Sequence, residues 1–287
     1  MLRPILISSA LLAAACALVL GDAADGEVEN TRATSTDPGD DKNNVARRRL
    51  EVMTSRIDSI VISSTDPAIP NRMQPKPLFR YDDETRGYVD GTVWRLGESG
   101  RPLAIITAEL HPNYLGGGPS VVYDLLSLTE RRFTARSADI PGWSPRGAAV
   151  VLNALPRAPE VSAVAAKRLT QLKEQARRFS GTQEVQETDK TFVHLRLLPR
   201  EIERYAPGPE RHSDGAIFLF ANGRNPALLL VIETDGKDWQ YGIGRLSMPS
   251  TLEMKLDDTV VWSEPRIPSS PGWSEPYNAS NSPARFP

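Results

Sequence analysis

The chain has 287 residues but one cysteine, Cys16, and three histidines, His111, His194 and His212. Cys16 sits inside the N-terminal apolar run, so a chain that loses that run keeps no thiol. Disulfides, a thiolate metal site and a cysteine nucleophile are then excluded, and an ordinary hydrophobic core has to hold the fold. A chain of this length can build one or two such cores. None of the histidines has metal-ligand spacing. Charge is nearly balanced, 34 Lys and Arg against 36 Asp and Glu, which argues against a general nucleic-acid binder, a class that normally shows a strong basic face. After the leader no apolar run is long enough to span a bilayer. Two signatures of catalysis are missing as well. No serine sits in a glycine–serine–glycine elbow, and Gly116-Gly117-Gly118 lacks the lysine and hydroxyl residue that follow in a phosphate loop. No catalytic, cofactor-binding or metal-binding residue is therefore assigned, and no cofactor is expected.

What is present begins with a leader. Arg3 precedes an apolar stretch over residues 5–20, and Gly21-Asp22-Ala23 follows with small residues where a signal peptidase reads them. Residues 1–23 are expected to be a signal peptide, and the protein to be exported to the periplasm or beyond. Two other readings stand beside it. One is an uncleaved anchor. The other is lipidation at Cys16, for which Leu12 lies one place too early. Residues 24–45 are rich in Asp, Glu, Thr, Asn and Gly and are expected to form a disordered spacer. Residues 267–287, dense in Pro, Ser and Asn, are expected to be a disordered tail. The triplet Asn278-Ala279-Ser280 matches a glycosylation acceptor, a pattern common by chance.

The middle of the chain repeats itself. Pro75, Arg80, Tyr81, Asp90, Gly91, Pro102 and Glu109 recur as Pro199, Arg204, Tyr205, Asp214, Gly215, Pro226 and Glu233, at a constant offset of 214 − 90 = 124. A helix precedes each copy. Residues 46–60 carry Leu50, Met53, Ile57 and Ile60 on one stripe, and residues 159–179 carry Leu169, Leu172, Ala176 and Phe179 on another. In the second helix Arg168, Lys173, Arg177 and Arg178 fall on a face expected to be solvated. Pro159 suits its first turn and Gly181 the position past its end. Each copy continues with a hairpin, 92–96 with 103–108 and 216–220 with 227–232, then a further strand, 121–128 or 239–246. The run Leu228 to Ile232 is apolar at every position, which marks a strand covered on both faces. Each copy closes at a Trp-Ser pair, Trp143-Ser144 or Trp262-Ser263. The expected fold is α+β: two tandem units, 46–147 and 148–266, each one helix plus a four- to five-stranded antiparallel meander.

These residues carry a resemblance. Leu197-Leu198-Pro199, Arg204-Tyr205, Asp214-Gly215-Ala216-Ile217-Phe218, Trp239-Gln240-Tyr241-Gly242 and Val261-Trp262-Ser263 resemble an exported protein family of planctomycete-type bacteria. Gly87, Asp90-Gly91, Trp94, Gly100-Arg101-Pro102 and Ser127-Leu128 resemble the matching half of that family. The likeness covers residues 46–266. It implies export and the two-copy layout, and it brings no activity and no catalytic residues.

Only the repeated polar residues offer chemistry. Asp90 and Asp214, joined by Glu109 and Glu233, would make a hydrolase-like carboxylate site if they met between the copies. The simpler expectation is structural: Asp-Gly is a turn dipeptide, with glycine at positive φ. Trp94 with Tyr123, and Phe218 with Trp239 and Tyr241, could present an aromatic platform to a glycan, although strand aromatics more often fill a core. His194 shares a strand face with Phe192 and Arg196 and is expected at the surface. The expected function is that of an exported, non-catalytic binding or interaction protein of the cell envelope, its partner an envelope protein or a glycan. A carboxylate-based enzyme is the alternative.

Overall fold

The computed structural model describes residues 38–83, 87–186, 191–206 and 214–287. The expected signal peptide, Cys16, most of the expected spacer and His212 lie outside the described residues. Among these residues are sixteen strands and two helices. The fold is thus mostly β, and the expectation of two tandem helix-plus-meander units is wrong.

One sheet contains β2 (Phe79–Asp83), β3 (Tyr88–Leu96), β4 (Ala104–His111), β5 (Ser120–Ser127) and β16 (Tyr277–Pro283), in the order β16-β5-β4-β3-β2. Two short strands, β1 (Val61–Ser63) and β6 (Thr134–Arg136), pair separately. Everything else joins a nine-stranded antiparallel sheet. Its central strands are β10 (Glu203–Tyr205), β11 (Asp214–Asn222), β12 (Asn225–Thr234) and β13 (Trp239–Arg245), with β7 (Asn153–Ala154) on the far edge. Its other strands are β8 (Phe179–Gln186), β9 (Thr191–Leu197), β14 (Leu252–Leu256) and β15 (Thr259–Glu264). These last four form a wing joined to the centre only where Phe220 and Ala221 of β11 face Leu197 and Arg196 of β9. Phe179, Leu195, Leu252, Met254 and Leu256 of the wing share one core with the centre of the sheet, so the sheet curls over its outer face.

The misreading has local causes. Phe179 and Gly181, read as the end and cap of a helix, begin β8 instead. A Cβ on Gly181 would lie 3.1 Å from Leu228 Cδ1, so the glycine lets two layers of the curled sheet approach. Helix α2 is consequently only Ala165–Ala176. Its basic face is only partly solvated: Arg177 is exposed, while Arg168 and Lys173, with Arg178 beyond the helix, reach Asp214, Glu201 and Asp257. Helix α1, Pro38–Asp58, starts 46 − 38 = 8 residues before its expected start, inside the expected spacer.

Residues 267–287, expected to be a tail, supply β16, which pairs with β5 from Tyr277↔Leu126 to Pro283↔Ser120. Tyr277, Asn278 and Ala279 are buried. The Asn278 side chain donates to the carbonyls of Pro271 and Gly272, so in the folded protein it is no glycan acceptor.

Period-two alternation assigns the faces. Trp94, Ile106, Leu110, Tyr123 and Leu125 point to α1 and meet Met53 and Ile57. Val93, Ile105 and Leu126 point the other way and meet Ile217, Leu219, Leu229 and Val231 of the large sheet. The opposite face of that sheet, with Phe218, Leu228, Leu230 and Ile232, meets Leu172 and Ala176 of α2. The packing order is therefore α1, small sheet, large sheet, α2. Leu228 to Ile232 are all 0% exposed, as a strand buried on both faces requires.

Candidate functional site

Neither Asp-Gly pair forms a turn. Asp90-Gly91 lies within β3 and Asp214-Gly215 begins β11, and neither glycine has positive φ. Their role follows from register. Tyr81, Gly91 and Glu109 sit directly opposite one another on β2, β3 and β4. Tyr205, Gly215 and Glu233 do the same on β10, β11 and β12. In each row the tyrosine ring lies across the glycine and its hydroxyl donates to the glutamate, Tyr81 to Glu109 at 2.9 Å and Tyr205 to Glu233 at 2.7 Å. A Cβ on Gly91 would stand 2.6 Å from the Tyr81 ring, and one on Gly215 would stand 2.5 Å from the Tyr205 ring. Burial, and then the adjacent carboxylates, push both tyrosine hydroxyls well above their usual range. Both rows thus stay protonated donors. We expect Gly91→Ala to cost about 1–3 kcal/mol through overpacking. Denaturant titration would measure it; an unchanged midpoint would mean that the ring does not need the glycine.

The aspartates face outward. Asp90 shares its strand face with Trp94, on the α1 side, and Asp214 shares its face with Phe218, on the α2 side. Arg80 grips Asp90, with Nε to Oδ1 at 2.8 Å, and also donates to the Ala46 carbonyl of α1. Arg168 of α2 donates to Asp214 at 2.5 Å, and Arg204 pairs with the same carboxylate. The two aspartates lie on opposite outer faces of the paired sheets and cannot converge. The alternative carboxylate site between the copies would need these two aspartates to meet there, and they do not. Glu109 and Glu233 do face the inter-sheet layer, but each holds its own tyrosine, and Glu233 also lies 3.6 Å from Arg101.

A cluster not singled out in the sequence surrounds Glu109. His111 Nε2 lies 3.1 Å from Glu109 Oε2, and its ring meets Tyr88 and Tyr114 at centroid distances of 5.3 Å. Asp124, opposite Thr107 in register, exchanges hydrogen bonds with it and accepts one from Tyr277 of β16. Burial first, and Glu109 second, push the Asp124 carboxyl up to about 7. Nothing in the sequence marks this residue: its counterpart in the second copy is Gly242, so the repeat pattern passes over it.

The aromatic platforms are not surfaces. Trp94 and Tyr123 are 0% and 1% exposed, and Phe218, Trp239 and Tyr241 are also buried, all within the two outer cores. Phe192, His194 and Arg196 do share an exposed face of β9. Gly116-Gly117-Gly118 lies in the loop between β4 and β5, where Gly116 ends a turn of 3-10 helix, Tyr114–Gly116.

The surface feature with chemistry is a cleft of about 480 Å3 where β2 passes β9 and β10. Leu78, Phe79, Leu198, Pro199 and Ile202 line it, with Arg80, Arg196, Arg200 and Arg224 around them. Two of the four are ion-paired: Arg80 with Asp90, and Arg224 with Asp82 at 2.8 and 2.9 Å. Arg196 donates to a neutral acceptor, the Gly223 carbonyl, and among the described residues no carboxylate pairs with it or with Arg200. The single acid in the lining, Glu201, is taken by Lys173 at 3.1 Å. Sequence reading had no means of finding this site, because residues 80, 196, 200 and 224 meet only when the two sheets stack.

Among the described residues no group of His, Cys, Asp and Glu could hold a metal ion, and no helix is long and apolar enough to cross a membrane. The chain matches no protein-family model, no curated protein and no solved structure.

Proposed function

We propose that the protein is an exported, non-catalytic binding or interaction protein of the cell envelope, and that it holds its ligand in the arginine cleft between β2 and β9–β10. The observation that carries the reading is the cleft itself: the exposed guanidinium groups of Arg196 and Arg200, without acidic partners among the described residues, rim an apolar floor of ligand size. The carboxylates that an enzymatic reading would use hold strands and helices together instead. Export rests on the leader at residues 1–23 and on the resemblance to exported proteins of planctomycete-type bacteria. The recurring Arg-Tyr, Asp-Gly and Glu positions fit an internal repeat, with the ligand held where the two halves differ and meet.

The test places a photo-crosslinking residue at position 200 or at Lys167, exposed on α2, in the full chain in its native cells. Adducts are expected at 200 but not at 167, and in the envelope or extracellular fraction. Protein retained in the cytoplasm would overturn export, and equal adducts at both positions would overturn the cleft.

A further inference from the structure

We infer that the ligand of this cleft is a segment of acidic glycan, bearing carboxylate or sulfate groups on sugar rings; this rests on the binding reading above. Three observations lead there. First, the chain as a whole is slightly acidic, with a net charge of −2, yet of the four arginines at the cleft only Arg80 and Arg224 have carboxylate partners among the described residues, and the acid in the lining, Glu201, is taken by Lys173. Guanidinium groups match carboxylate and sulfate oxygens in paired hydrogen bonds, so the complementary ligand is an oxyanion.

Second, two of the arginines are ion-paired, Arg80 with the buried Asp90 and Arg224 with the exposed Asp82. The other two, Arg196 and Arg200, have no acid partner among the described residues. A ligand therefore meets charge at more than one place along the cleft, which favours a chain of spaced anions over one small ion. Third, the floor is apolar, with Phe79 stacked on Tyr81 at 5.9 Å and 16° between ring planes. A free inorganic anion would leave that floor bare. A sugar ring covers it with its C–H face while its acidic substituent reaches the rim. Export supplies the setting, since acidic polysaccharides lie outside the cytoplasm.

The full exported protein would be titrated with an oligogalacturonate, a sulfated oligosaccharide, a neutral oligosaccharide of the same length, an acidic peptide and inorganic phosphate. Both acidic oligosaccharides are expected to bind, and to bind more weakly as salt rises. Arg200→Glu, at an exposed side chain with no partner among the described residues, should weaken them by roughly tenfold or more. Lys167→Glu on α2 should leave them unchanged. Three results would overturn the inference: equal binding of the neutral oligomer, binding confined to phosphate or the peptide, or no effect of Arg200→Glu. If crosslinks form at position 200 in cells yet neither acidic oligosaccharide binds, the glycan inference fails alone and the cleft stays the binding site.

Discussion

Asp214→Ala is expected to destabilise the protein by about 3–5 kcal/mol, the usual result of stranding a buried charge. The Asp214 carboxylate is 4% exposed and holds two cations at once, Arg168 from α2 and Arg204 from β10. Without it, the partners left among the described residues are the carbonyls of Ser162 and Ala163 for Arg168 and those of Tyr205 and Gly215 for Arg204. Neither guanidinium can turn fully to water, because their side chains are only 18% and 24% exposed. In a domain of this size the loss corresponds to a fall in Tm on the order of 10 °C. Asp90→Ala is expected to cost less. Among the described residues its one cationic partner, Arg80, is 35% exposed and can be rehydrated, and its other donor is the Gly91 amide. Denaturant titration of both variants tests the ranking. Equal losses, or a loss below about 1 kcal/mol for Asp214→Ala, would mean that the second ion pair contributes nothing to docking α2.

The second large effect is a dependence on pH that resides in Asp124. In the folded protein its carboxyl is held up to about 7, against 3.8 in the ordinary range. Burial between the sheets is the main cause and Glu109 the next. Hydrogen bonds from Tyr277 and Thr107, and the charge of Arg245, act against the rise without cancelling it. Between about pH 4 and 7 the folded protein keeps a proton that the unfolded chain has released. Stability contributed by this group therefore falls as pH rises through that window and is fully lost above it. The shift corresponds to on the order of 4 kcal/mol. Asp124→Asn removes the ionisation and keeps the shape, with an amide oxygen still able to accept from Tyr277. Relative to the parent, the variant should gain stability steadily from pH 4 to 7 and hold a constant advantage above. Stability curves that run parallel across the window would refute the assignment. Because Tyr277 lies on β16, the same change should slow hydrogen exchange of the 277–283 backbone at pH 8, relative to the parent.

How much of this was legible in the sequence differs from element to element. The hairpins of β3 with β4 and β11 with β12 were readable, because alternation and turn residues act over a few positions. The full burial of 228–232 was readable for the same reason. The end of α2 was not: Phe179 continues the helical stripe, and only docking against Leu228 and Leu256 makes residues 179–186 a strand. Nor was β16. Its composition of Asn, Ser and Pro gives little local preference, and the open edge of β5 supplies the pairing. Asp-Gly was seen twice and explained wrongly. The pair does not bend the chain. The aspartate pairs with arginine on one face of the strand, and the glycine admits a tyrosine ring on the other.

By itself the sequence determined the two hairpins and the buried run 228–232, the confinement of cysteine to position 16, and the spacing that recurs between the two halves. Those properties depend on residue type and short-range order. The tertiary structure decided that the two aspartates face apart, that Asp124 is buried beside Glu109, and that arginines 80, 196, 200 and 224 rim one cleft. Each of these depends on which strand face meets which partner across long stretches of chain, and local periodicity names a face without naming what will cover it.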